Sequence, residues 1–171
     1  MIILFTKGYL TSLVRPRRRL RSNRTNGTRY THWTDHLSSL AWNLFGNVTP
    51  GWARVQAVTD YVHNRLSFGY GYARATRTAA QAHDEQVGVC RDFAHLMITL
   101  ARASTIPARF VSVYGVGVTP QDFHAIAEVF LDGTWYMVDA TGMSSSDRMA
   151  KIGVGRDAAD VSFLTSYARA E

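Results

Sequence analysis

The sequence is short of the residues that staple small secreted scaffolds. It has one cysteine in 171 residues, which excludes an internal disulfide and any structural zinc site of the multi-cysteine kind. No apolar run approaches the ~20 residues a membrane-spanning helix needs, so no bilayer crossing is expected. Charged residues make up only 19% and apolar residues 46%. That is the composition of a globular domain with a buried core, not of a disordered or collagen-like chain. The lone thiol, Cys90, is then either a buried filler or a nucleophile.

Acids are missing from the first 29 positions, which carry eight bases: Lys7, Arg15, Arg17, Arg18, Arg19, Arg21, Arg24 and Arg29. The remaining eleven bases face all thirteen acids, a balance of −2 for residues 30–171. The formal charge of +6 therefore belongs to an arm and not to the domain. Such a block, centred on residues 15–29, can reach nucleic acid through phosphate contacts. No aromatic residues interleave with the arginines for base stacking, so the favoured reading is a disordered, self-repelling tail over 1–29 ahead of one domain over 30–171. The opening Met-Ile-Ile-Leu-Phe makes a poor signal peptide, because its apolar run is short and its positive charges follow it. A cytoplasmic location is the resulting expectation.

Periodicity places the elements. Residues 31–44 are mildly helical and carry His32 and His36 at i, i+4. Position 33 is Trp where a metalloprotease pair needs Glu, so no metal is expected there. Trp52, Val55, Val58, Val62 and Leu66 form one apolar helical stripe, with His63 at its edge. Residues 67–72 read as a short strand or aromatic loop, and 74–86 as polar and irregular, with His83 solvated. Cys90 opens a second helix whose stripe is Phe93, Leu96, Met97 and Leu100, ending before Pro107. His95, five positions on, points away from Cys90 and is expected to be structural.

From Arg109 the period becomes two. Strands are predicted at 110–114, 124–131 and 134–139, with Asp132-Gly133 as a two-residue hairpin turn. Trp135 and Tyr136, beside the turn, read as packing. A last strand is placed near 159–164. Helices followed by an antiparallel meander make an α+β fold.

The hairpin also places chemistry. A two-residue loop pairs Leu131 with Thr134, so Asp139 faces Ile126 and lies diagonal to His124. Diagonal neighbours ~7–8 Å apart can join an imidazole to a carboxylate. A thiol at a helix start has its thiolate favoured by the dipole and by unpaired N–H groups, and its own N–H can serve a developing oxyanion. Thiol, base and orienting carboxylate are the parts of an activated nucleophile. Position alone leaves catalysis and core packing equally open for Cys90.

Three separated stretches carry a resemblance: Gly88-Val89-Cys90-Arg91-Asp92-Phe93-Ala94-His95-Leu96 with Ile106-Pro107-Ala108-Arg109, then Phe123-His124-Ala125 running to the hairpin, then Val138-Asp139-Ala140-Thr141. Together they resemble the bacterial transglutaminase-like superfamily over roughly residues 35–165. The resemblance implies a papain-like α+β core in which the cysteine-opened helix packs on an antiparallel sheet. It also implies a catalytic triad of Cys90, His124 and Asp139. The implied reaction is acyl transfer: a thioester forms from a protein glutamine carboxamide or a peptide bond and passes to an amine or to water. The implied partners are a protein or peptide substrate and an amine acceptor, with no cofactor and no metal. Gln86 and Tyr70 stand as equal candidates for a second oxyanion donor. The competing readings are a non-catalytic peptide-binding relative and nucleic-acid binding through residues 15–29.

Overall fold

Helix α4, Cys90–Ala103, is the axis of the structure. From Asp92 to Ala101 every side chain is buried, because three further helices pack on it from one side and two strands of the main sheet from the other. The computed structural model describes residues 35–161. The basic arm expected over 1–29, and with it the nucleic-acid reading of 15–29, lies outside the described residues, as does His32.

Helices α1 (Asp35–Phe45) and α2 (Trp52–Arg65) come first. Val55, Val58 and Val62 are the buried stripe of α2, as the spacing predicts, with Leu66 just beyond its end also buried, whereas Trp52, expected to begin the stripe, is exposed. A two-residue strand β1 (Ser67–Phe68) and a 3-10 turn (Tyr70–Tyr72) follow. The segment expected to be irregular holds a helix, α3, at Ala79–Glu85. Thr78 caps it through the Gln81 N–H, and Gln81 reaches back to the Thr78 N–H, a reciprocal box that satisfies two otherwise unpaired donors. His83 sits on this helix, buried at 6% exposure, and not in a solvated loop.

Strand β2 (Val87–Gly88) pairs in parallel with β1. Then α4 leads to β3 (Ala108–Gly115), β4 (Phe123–Leu131) and β5 (Thr134–Val138). The hairpin has the predicted register, Leu131 opposite Thr134 through Ala127 opposite Val138. Asp132 and Gly133 both have positive φ, 48° and 84°, the backbone of a type I′ turn.

The last strand among the described residues, β6, is Met149–Gly155, and it adds to the far edge of β3, giving the order β5-β4-β3-β6. Of the strand expected near 159–164, residues 159–161 form a turn and bend, and the rest lies outside the described residues. Strand β6 is hard to see in sequence because glycine at 153 and 155 weakens a strand pattern. Gly155 is required by a crossing chain: a Cβ there would lie 2.5 Å from both Asp160 and Val161 side-chain atoms.

The helix-facing side of the sheet is lined by Phe110, Ala125, Ala127 and Val129. Leu96, Met97, Ile98 and Leu100 of α4 have 0% exposure, each worth roughly 1.5–3 kcal/mol of burial. The opposite side holds a second cluster of Val111, Val113 and Ile126, against Met137 and Met149. Trp135 packs as expected, over the Arg109 guanidinium at 4.0 Å and against Phe130. Tyr136 meets Trp52 edge-on.

Candidate active site

Cys90 is the first residue of α4 and is half-buried. What fixes that helix start is Asp92. Its carboxylate accepts the Val89 N–H at 3.0 Å and the Arg77 guanidinium at 3.0 Å. Gly88 makes room for this: a Cβ there would stand 2.6 Å from the Asp92 Cβ. Arg77, itself buried, also reaches the Tyr72 carbonyl and the Glu85 carboxylate. One guanidinium thus ties the 3-10 turn, α3 and the first turn of α4 together. Backbone pairing adds to the clamp, with the Ser67 N–H on the Gln86 carbonyl and the Gly69 N–H on the Gly88 carbonyl. The Cys90 N–H belongs to the first helical turn, where donors have no acceptor within the helix.

His124 comes from β4 and Asp139 from the residue after β5. The diagonal placement is realised as a contact of 2.8 Å between His124 Nε2 and Asp139 Oδ2. Nε2 is thereby committed to Asp139, and Cys90 lies near enough to the ring to favour its charged form.

The carboxylate is held as firmly as the ring. Asp139 Oδ1 accepts the Thr141 N–H at 2.9 Å and the Thr141 hydroxyl at 2.7 Å, and Oδ2 accepts the Ser144 N–H at 3.2 Å. The loop is tethered in turn by His63, whose Nδ1–H donates to the Ala140 carbonyl at 3.1 Å. The roles of Thr141, Ser144 and His63 carry no spacing signal. They depend on a loop conformation that a sequence pattern does not encode.

The electrostatics follow from these contacts. Burial works against a charged His124 ring, but the hydrogen bonds and attraction from Asp139 and Cys90 outweigh it and push its pKa up to about 9. Burial likewise works against an ionised Asp139, yet the His124 and Thr141 contacts hold its carboxyl below the ordinary range. Tyr70, on the 3-10 turn, has its phenol pKa raised by burial and then by negative charge on Cys90 and Asp122. That places the phenol within electrostatic reach of the thiol. Gln86 takes a left-handed backbone at the end of α3 with its side chain in solvent.

Of the other histidines, His95 is fully buried and accepts the Ala158 N–H at Nε2, 3.2 Å away. Burial, with the Arg91 and Arg102 cations behind it, depresses its pKa to about 3. It is structural, as its position on the helix predicts. His36 is exposed and approaches His83.

A helix opened by cysteine and packed on an antiparallel sheet that carries histidine and aspartate defines a papain-like α+β fold. Residues 38–140 match the transglutaminase-like superfamily, and the chain belongs to it. A candidate cysteine protease from Cytophaga hutchinsonii is similar at 39% identity, with a TM-score of 0.76 over 80% of this chain and 47% of that one. The periplasmic domain of TgpA from Pseudomonas aeruginosa is similar at 25% identity and a TM-score of 0.53, over 64% of this chain and 43% of that one. An uncharacterized protein of Mycobacterium leprae is 28% identical over 145 residues, 80% of this chain and 52% of that protein. The chain spans about half the length of the relatives it matches. No helix among the described residues is long and apolar enough to cross a membrane. The TgpA domain is periplasmic, so this fold by itself does not fix the cytoplasm as the compartment.

Proposed function

We propose that the protein is a thiol acyltransferase or hydrolase in which Cys90 is the nucleophile, His124 the acid and base, and Asp139 the group that orients the ring. The observation that carries this reading is the placement of His124 between Cys90 and Asp139, with the ring held charged up to about pH 9. The Cys90 thiolate attacks the carbonyl carbon of a glutamine carboxamide or peptide bond on a protein or peptide. The C=O electron pair moves to oxygen, and the Cys90 N–H at the helix start stabilises that oxyanion. Tyr70, whose phenol feels the charge on Cys90, and Gln86 are the two candidates for the second donor, and both side chains are exposed. His124 then delivers its proton to the departing ammonia or amine, leaving the thioester. An acceptor amine or water gives its proton back to His124 as it attacks, and the thiolate leaves. Asp139 keeps the imidazole in the required tautomer and balances its charge. The likeness to a candidate cysteine protease favours water as the acceptor.

The test is the rate of Cys90 alkylation by iodoacetamide against pH, in the wild type and in His124→Ala. Rapid alkylation that persists well below the ordinary thiol pKa of ~8.5, and is lost in the variant, is the expected result. A thiol that is alkylated like a free cysteine in both proteins would overturn the enzyme reading.

A further inference from the structure

A second cluster of chemistry-bearing side chains stands apart from the Cys90 site and has no part in the acyl-transfer scheme. His36, in the first turn of α1, and His83 and Asp84, on the last turn of α3, bring one ligand atom each to within 4.8 Å of one another. We propose that these three residues bind a divalent transition metal of the zinc class. The sequence alone points elsewhere, to His32 and His36 as the pair to weigh, and predicts no metal at all. The fold puts His83 beside His36 by turning residues 79–85 into a helix against α4.

The donor set selects the metal. Two imidazoles and a carboxylate suit zinc, cobalt or nickel, with water completing the shell. Calcium, which takes six to eight oxygen ligands, does not fit.

The geometry is close to a bound state. His83 Nδ1 and Asp84 Oδ1 are 3.1 Å apart, near the ~3.3 Å edge of a tetrahedron with ~2.0–2.1 Å metal bonds. His36 meets the His83 ring at 5.9 Å between centroids. His36 and Asp84 are the exposed members, so they are free to close the remaining distance by side-chain rotation.

His83, the buried member, is oriented in advance. Its Nε2 lies 2.9 Å from the Tyr61 hydroxyl, and its own carbonyl accepts the Arg65 Nε–H at 3.1 Å. A hydroxyl can donate or accept, so Tyr61 serves both states of the ring. Without metal, His83 Nδ1–H donates to Asp84 and Tyr61 donates to Nε2. With metal, the ring proton sits on Nε2 and is donated to the Tyr61 oxygen, while the Nδ1 lone pair binds the ion. No net proton leaves a neutral ring. A partner on the far nitrogen that fixes the tautomer is what metal-ligating histidines ordinarily have. The bound ion would join α1 to α3, the helix whose end leads through β2 to Cys90.

The experiment uses the untagged full chain carrying Cys90→Ala, so that the thiol does not compete for metal. Zinc is titrated by calorimetry and cobalt by visible absorption. One equivalent is expected to bind at micromolar metal and raise the thermal midpoint. His36→Ala and Asp84→Asn, each on an exposed side chain and therefore folding-neutral, are expected to weaken binding at least tenfold. Absence of saturable binding, or affinity unchanged in both variants, would overturn the proposal.

Discussion

Two histidines shut away from water treat a proton in opposite ways. His124, at the β4 end of the site, is 1% exposed, and His95, in the seam between α4 and the sheet, is 0% exposed. Burial lowers the pKa of both. At His95 nothing reverses it: the Phe110 ring is 5.3 Å away, the Arg91 and Arg102 cations repel a further positive charge, and the pKa falls to about 3. At His124 the fall becomes a rise to about 9. The region around His124 differs in holding a carboxylate that is itself fixed by three donors from Thr141 and Ser144. Burial sets the default, and an anchored counter-charge overrides it.

Asp139→Asn should break this contrast most completely. The amide still fits the loop but brings no charge, so His124 keeps only Cys90 as a counter-charge against burial. By NMR its pKa should drop well below about 9, toward that of His95. Loss of the required tautomer should reduce turnover on the order of 10⁴-fold, by analogy with the same substitution in a serine triad. It should slow Cys90 alkylation at neutral pH by roughly 10–100-fold, because an unassisted thiol is still a few per cent thiolate there. Stability should respond with a definite sign. The raised His124 pKa makes its contribution complete below the unfolded value of ~6.5 and lost as pH rises through about 9. The lowered Asp139 pKa makes its contribution present above ~3.9 and lost in acid. Denaturant melts should show this alkaline loss in the wild type and not in Asp139→Asn. An unchanged alkylation rate in the variant would remove Asp139 from the mechanism.

The second effect sharpens the other half of the comparison. His95 is neutral when folded down to about pH 3, but in the unfolded chain it takes a proton near 6.5. Below that value the unfolded state binds more protons, so stability falls as pH falls. A shift of this size is worth on the order of 4 kcal/mol by pH 3. His95→Leu should flatten that acid limb in denaturant melts from pH 7 to 3. At neutral pH it should cost about 1–3 kcal/mol, because the Ala158 N–H loses its acceptor. An acid limb as steep as that of the wild type would show that other groups control acid unfolding.

The two regions were unequally legible in the sequence. The His95 side is ordinary helix: the stripe from Phe93 to Leu100 has a strong period, and the angle from Cys90 to His95 follows from helix geometry. The pairing of His124 with Asp139 was legible because Asp132-Gly133 determines a turn, and a turn determines a register. Illegible were the features in which a weak local pattern is overridden by contacts. Helix α3 has only Ala79, Ala82 and His83 to bury, too few for a period. Its one local sign is Thr78 with Gln81 at capping-box spacing, in a segment otherwise without a period. Strand β6 was hidden by glycines that exist for a crossing loop. Arg77, which carries the start of α4, lies fifteen residues from the Asp92 it pairs with, and no spacing rule connects them.

Thr141→Val should give the smallest effect and the finest resolution of the contrast. The substitution preserves shape but deletes the hydroxyl that donates to Asp139 Oδ1 at 2.7 Å and accepts the Met143 N–H at 3.2 Å. The Thr141 N–H and Ser144 N–H remain on the carboxylate, so Asp139 stays charged and His124 stays protonated at neutral pH. What is lost is anchoring, worth about 1 kcal/mol for each of these two hydrogen bonds, together with a 3.5 Å contact to His124 Nε2. The His124 pKa should move down only slightly, still well above ~6.5, and alkylation should slow by roughly tenfold or less. A graded response of this kind would mean that counter-charge keeps the proton on His124 while the loop bonds tune how well it is held. A collapse as deep as that of Asp139→Asn would mean the reverse: the loop, and not the charge alone, separates the His124 region from the His95 region.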